Sequence, residues 1–185
     1  KHNFKFFIRM LLIFVFSISL GSPPKALGVG YYTNKSTGYD ISYPQCNAAY
    51  PEKPFDFAII GVNGGKAFTK NPCLFDEFYW ARSGKTSPSL YMNLNYPSRK
   101  TAELGMVGPA GKCTKMNTSC HAYNYGYYAA EYAYHSARSQ MVTSNMWWMD
   151  IELANTWSDT VSLNASVLSG ALMYLHAQGI TVGIY

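Results

Sequence analysis

Short apolar segments closed by glycine, proline or asparagine recur along this chain, with amphipathic stretches between them. This alternation limits the possible folds more than any other feature. GYDISY (Gly38–Tyr43) alternates like a short strand and stops at Pro44. FAIIGVNGG (Phe57–Gly65) is a continuous apolar run broken by glycines, as in a strand buried on both faces. Asn71 as N-cap and Pro72 at the first helical position predict a helix ending near Gly84. SLYMNLN (Ser89–Asn95) predicts a third strand, and tyrosines and alanines at helical spacing from His121 to Met141 predict a second helix. NMWWMDIEL (Asn145–Leu153) predicts a fourth strand. Asn164 can cap a further helix with Val167, Leu168, Ala171, Leu172 and Leu175 on one face and Gly179 as its stop, and ITVGIY (Ile180–Tyr185) begins a fifth strand. Strands alternating with helices predict an α/β fold with a parallel sheet, wound flat or closed into a barrel.

The formal charge of +5 comes largely from the first residues. Lys1, Lys5, Arg9 and Lys25 flank LLIFVFSISL (Leu11–Leu20), an apolar run short for a membrane span, with Ala26 and Gly28 as small residues before a cut. Residues 1–28 are therefore expected to be a secretory signal peptide, 29–37 a linker and 38–185 the folded domain; an uncleaved anchor is the alternative. Beyond residue 28, eleven basic residues face ten acidic ones, which removes the main support for a nucleic-acid partner. No membrane association is expected after cleavage. Cys46, Cys73, Cys113 and Cys120 all lie in the exported part. An even number there favours two disulfides, for which three pairings exist. Cys113 and Cys120 enclose a short polar loop suited to a local bridge, leaving Cys46 to pair with Cys73. A zinc site is the sharper alternative for Cys120 and His121, but no paired metal-ligand spacing accompanies them, and no metal is expected.

The chemistry is expected at the strand ends. Side chains alternate along a strand, so Asp150 and Glu152 would share a face with Trp148, leaving Trp147 on the opposite face against the helices. Neighbouring carboxylates disfavour each other's ionisation, which keeps one protonated as an acid while another stays charged. In parallel α/β folds the C-terminal strand ends form the site, which would bring Asp40 to the same cavity. Three acids near aromatic rings suit a sugar: aromatic faces pack on pyranose rings and carboxyl groups serve the glycosidic centre. Asn63 and Asn93 could bond sugar hydroxyls or satisfy neighbouring loops. Tyr125, near a helix start, is a candidate substrate contact among tyrosines that otherwise pack. His121, His135 and His176 form no constellation and are expected on the surface or on helix faces.

GYDISYPQ (Gly38–Gln45) together with WWMDIE (Trp147–Glu152) resembles the family 25 glycoside hydrolases, the Chalaropsis-type lysozymes. FAIIGVNGGKAF, NPCL and AYNYGY resemble recurrent segments of secreted bacterial proteins related to them. The resemblance spans Gly38–Tyr185. It implies a (β/α) TIM-type barrel, C-terminally incomplete here with about five of eight strands, that cleaves β-1,4-linked amino-sugar glycan such as peptidoglycan. It further implies Glu152 as general acid, Asp150 orienting the acetamido group or stabilising charge at the reacting carbon, and Asp40 completing the cluster. Trp148, Asn63, Asn93 and Tyr125 are the expected substrate contacts, a cell-wall glycan or other polysaccharide the partner, and no cofactor is needed. The alternative is a wall-binding domain without turnover. GKT at Gly84–Thr86 lacks the first glycine of a phosphate loop, since position 79 is Tyr, so a nucleotide site is not expected.

Overall fold

A computed structural model describes residues 32–185; the expected signal peptide lies outside them. Five strands form one parallel sheet: β1 (Gly38–Ile41), β2 (Phe57–Gly61), β3 (Ser89–Asn93), β6 (Met146–Asp150) and β7 (Thr181–Ile184). Two short strands, β4 (Val107–Gly108) and β5 (Gly111–Lys112), make a separate antiparallel hairpin. The order across the large sheet is β1-β2-β3-β6-β7, the order of the chain. A sheet that always advances in one direction through crossovers of one hand carries its helices on one face. These helices are α1 (Leu74–Ala81), α2 (Ser119–Ser139) and α3 (Val161–Ala177). The connection from β1 to β2 has only a 3₁₀ turn at Tyr43–Gln45, so strict strand–helix alternation begins after β2.

Alternation divides the sheet cleanly. Ala58, Ile60, Leu90, Met92, Trp147 and Met149 face the helices and are almost fully buried in one core with Leu74, Ala129, Ala133, Val167, Ala171 and Leu175. Trp147 thus packs where its parity predicts. Helices α2 and α3 approach closely at two glycines: a Cβ on Gly126 would sit 1.9 Å from the Val167 carbonyl oxygen, and one on Gly170 2.0 Å from that of Tyr123. The other face carries Asp40, Ser89, Tyr91, Asn93, Trp148, Asp150 and Tyr185, by the register Gly61–Tyr91–Trp148–Gly183 and Asn93–Asp150. This face is concave. Four strand steps of about 4.8 Å would hold the edges of a flat sheet about 19 Å apart, beyond the reach of a tyrosine and an aspartate. Yet the Tyr185 hydroxyl, just past β7, donates to Asp40 Oδ2 on β1 at 3.1 Å.

Several expected boundaries move, each for a visible reason. Helix α1 begins at Leu74 rather than Pro72, because its first backbone bond runs from Glu77 N–H to the Cys73 carbonyl at 3.0 Å; Asn71 stands one turn earlier, where its Oδ1 accepts from Cys73 N–H and its amide donates to the Gly61 carbonyl and to Glu77 Oε2. Helix α3 is entered through Thr160, and Asn164 lies inside it, reaching back to both backbone groups of Ser158. Strand β6 stops at Asp150, so Glu152 lies in the following loop rather than on the strand face. His121 is not on the surface: it is wholly buried, its Nε2–H donating to the Ala102 carbonyl at 2.6 Å. The cysteines pair as Cys46–Cys73 and Cys113–Cys120.

Candidate active site

The C-terminal ends of β1, β3 and β6 hold the polar centre. Asn93 and Asp150 are register partners, and the Asn93 amide donates to Asp150 Oδ2. Asn93 is itself fixed from β2: Asn63 Nδ2 donates to the Asn93 carbonyl at 3.0 Å, and Asn93 N–H donates to Asn63 Oδ1 at 3.2 Å. Asn63 is 2 % exposed and already bonded through both amide atoms, so it orients Asp150 through Asn93 rather than meeting a ligand. Sequence spacing put these three side chains at neighbouring strand ends; the relay between them is what the structure adds.

The three acids differ in exposure. Asp150 is buried, whereas Asp40 and Glu152 are open to solvent. Removal from water disfavours the charged carboxylate, and the negative charges of Glu152 and Asp40 add to that, so Asp150 is pushed up to about 6. Asp40 is also raised, first by the partial withdrawal of its carboxylate from water and then by the charge of Glu152, against the Tyr185 hydrogen bond that favours its charge. No Lys or Arg contributes to either group. The trio is therefore an uncompensated acidic cluster, coupled through space. Among the described residues no group of three His, Cys, Asp or Glu side chains is arranged to hold a metal ion.

Aromatic rings line the concave face beneath these acids. Trp148 is half-buried, its indole N–H donating to Ser89 Oγ at 3.2 Å, with Tyr185 edge-on at 6.2 Å and Tyr32 stacked at 6.2 Å. Tyr32 also stacks on Phe57 and shares a 2.6 Å hydrogen bond with Ser89, so this part of the expected linker closes the floor of the concavity. Tyr91 and Tyr185 meet edge-to-face at 6.0 Å. Burial raises both phenols, and the neighbouring acids raise them further. Tyr91 reaches this position because Gly61 makes room: a Cβ there would lie 2.8 Å from the Tyr91 hydroxyl and 2.5 Å from Ser42 Cβ. Tyr91 and Tyr185 join the site unannounced by any motif, although Tyr91 shares its parity with Asn93, and Tyr185 follows Gly183 by two residues. Tyr125 is not in this group. It lies on the buried side of α2, fully covered, accepting from Asn95 Nδ2 at 2.9 Å and packing on Phe68, with no surface to offer a ligand.

A cavity of about 700 Å³ lies away from the acids, among the loops leading into β3, β6 and β7. Arg82, Lys85 and Arg138 line it without any carboxylate, and the C-terminal ends of the three helices converge there. Basic side chains near helix C-termini have a ready structural role. Acid–base chemistry has its candidates at the opposite end, where ligands meet open parallel sheets. No protein-family model, curated protein or solved structure matches the chain.

Proposed function

We propose that this protein is a secreted glycoside hydrolase of lysozyme type, acting on β-1,4-linked amino-sugar glycan from a (β/α) barrel-type scaffold. One observation carries the reading: a buried carboxyl, Asp150, held toward its neutral form near pH 6 beside the exposed carboxyl of Glu152, on an aromatic concave face. Pairs of acids set apart by their environments are how glycosidases divide proton donation from charge stabilisation. The scaffold proposal draws on the consecutive parallel strand order and on the curvature that brings β7 to β1. Export is supported by the two disulfides, which persist in oxidising compartments.

In this mechanism the proton held by the coupled acids is delivered from Glu152, at the open edge of the site, to the glycosidic oxygen as the bond from that oxygen to the anomeric carbon breaks. Asp150, aimed by Asn93, lies behind it, where it bonds the acetamido group or faces the charge developing at the ring. Water then adds to the anomeric carbon, and its released proton restores the acid. Tyr185 and Trp148 offer apolar faces to the sugar ring, in the manner of aromatic–pyranose packing. The second reading, glycan binding without turnover, is favoured by one feature: Glu152 lies in a loop beyond β6, with its backbone carbonyl bonded by the Trp157 indole.

Reducing-sugar release from peptidoglycan by wild type and Glu152→Gln decides between them. The enzyme reading expects release by the wild type and a loss of at least about a hundredfold in the variant, the scale of general acid catalysis. Equal release by both proteins overturns the role of Glu152, and retained binding without release by either leaves the binding domain.

A further inference from the structure

Charge is unevenly distributed over the described residues. Of the eleven basic side chains after residue 31, six lie on just two loops: Lys66 and Lys70 between β2 and α1, and Arg99, Lys100, Lys112 and Lys115 between β3 and α2. Only one of the ten acidic residues, Glu103, accompanies them, so the rest of the domain is net negative. Both loops leave the C-terminal ends of their strands, the end that carries Asp40 and Asp150. All six cations are exposed, and the ion pair among the described residues, Lys85 with Asp56, involves none of them.

A run of cations is commonly no more than a solvated surface, but two features argue against that here. First, the loops are braced. Cys113–Cys120 staples the longer one, and Asn124 holds its hairpin through the Gly105 and Gly111 carbonyls at 3.1 and 3.0 Å and the Ala110 N–H at 2.8 Å. His121 ties Ala102 to α2, and Ala67 N–H donates to Asn95 Oδ1 at 3.0 Å, joining the two loops. Like charges carried on a braced frame give the surface a positive potential that attracts an anion. Second, these cations do not neutralise the site, since none lowers Asp40 or Asp150. An acidic centre flanked by a separate basic wall fits a ligand that is neutral where it is cut and anionic to one side.

We propose that the β2–α1 and β3–α2 loops form a binding wall for anionic substituents, carboxylate or phosphate, borne by the glycan that occupies the acidic site. This rests on the glycan reading above and specifies its substrate as an acidic rather than a neutral polysaccharide. Electrostatic walls of this kind act through on-rate and are screened by salt.

The test measures co-sedimentation of the full chain with peptidoglycan sacculi, with sacculi stripped of phosphodiester-linked polymers by hydrofluoric acid, and with neutral chitin, at 50 and 500 mM NaCl. Lys112→Gln/Lys115→Gln and Arg99→Gln/Lys100→Gln are compared with Arg82→Gln/Arg138→Gln, which removes equal charge at the opposite end. Binding to sacculi is expected to fall roughly tenfold at high salt and about fivefold or more in each loop variant at low salt. The opposite-end variant should match wild type, and chitin binding should be weak and indifferent to salt. Loss of binding on stripping identifies phosphate as the anion; retention identifies carboxylate. Loop variants that bind like wild type overturn the proposal, as does an equal loss in the opposite-end variant. Competition by a single-stranded oligonucleotide as effective as that by soluble glycan also overturns it, since the wall would then be a general polyanion surface. Failure of the hydrolase reading looks different: no sugar release, with salt-dependent binding intact.

Discussion

Replacing Asp150 with Asn should make the protein more stable at neutral pH. The carboxyl is 4 % exposed, faces two other acids and has no cation to offset them. Its pKa is 3.8 in the unfolded chain and about 6 in the folded one. At about 1.4 kcal/mol per pH unit the difference corresponds to about 3 kcal/mol. The sign follows from proton binding. Below about pH 4 both states hold the proton and the group contributes nothing against folding. As pH rises toward 6 the unfolded chain releases its proton first, so stability is lost progressively, and the loss is complete above about 6. Asparagine keeps an oxygen to accept from the Asn93 amide but adds an amide N–H₂ that needs a partner, at a cost of about 1 kcal/mol. The net gain at pH 7 should therefore be about 2 kcal/mol, shrinking to zero or slightly below at pH 4. Urea unfolding of both proteins with disulfides intact, at pH 4, 5, 6 and 7, measures this directly. A variant no more stable than wild type at pH 7, or one whose advantage is the same at pH 4, refutes the assignment of an uncompensated buried charge.

Other perturbations probe separate parts of the structure. Tyr185→Phe removes the hydroxyl that favours the charged form of Asp40, so carboxyl NMR titration should find Asp40 raised further, with stability changed by less than about 1 kcal/mol. Gly126→Ala forces a methyl against the Val167 backbone and should cost about 3 kcal/mol or more in chemical unfolding; a neutral result would mean that α2 and α3 are not in this contact. The two disulfides close loops of unequal size, with sequence separations of 27 and 7. Paired Cys→Ser changes should thus cost about 3.6 kcal/mol for Cys46–Cys73 and about 2.5 kcal/mol for Cys113–Cys120, compared by urea midpoints.

What the sequence made legible was what depends on local pattern. Strands β2, β3 and β6 lie inside apolar runs, because a strand covered on both faces needs nearly uninterrupted apolar residues, whereas the edge strand β1 shows itself by alternation. The parity of Trp147 and Trp148 placed one in the core and the other on the concave face. Boundaries failed where a side chain had two possible uses. Asn71 and Asn164 both look like helix caps, but Asn71 divides itself between the turn before α1, through Cys73 N–H, and Gly61 and Glu77, while Asn164 loops back to Ser158. Tyr125 looked available because it stands near a helix start; only packing against Phe68 and Asn95 shows it buried. Tyr91 and Tyr185 were missed for the opposite reason, since tyrosine in an apolar strand looks like core until the curvature of the sheet is known.

That curvature links the fold to the proposed chemistry. Asp40 and Asp150 lie on strands separated by two others, so their charges act on each other only because the sheet bends. Bending a parallel sheet this far requires small residues on the concave face where rings must fit: Gly61 under Tyr91 and Ser42, Gly183 against the Trp148 ring. It also requires a tie between distant strands, which the Tyr185–Asp40 hydrogen bond supplies. The acids repel, however, and repulsion opens a curved sheet while the tie and the stacked rings draw it in. Protonation of Asp150 removes part of that repulsion and so favours the contacts that Tyr185 makes across the concavity. Asp150→Asn, which abolishes this charge, should remove the pH dependence between about 4 and 6 of the tryptophan fluorescence that reports Tyr185 against the Trp148 indole, and a pH dependence that the variant keeps would show that the acids do not govern this contact.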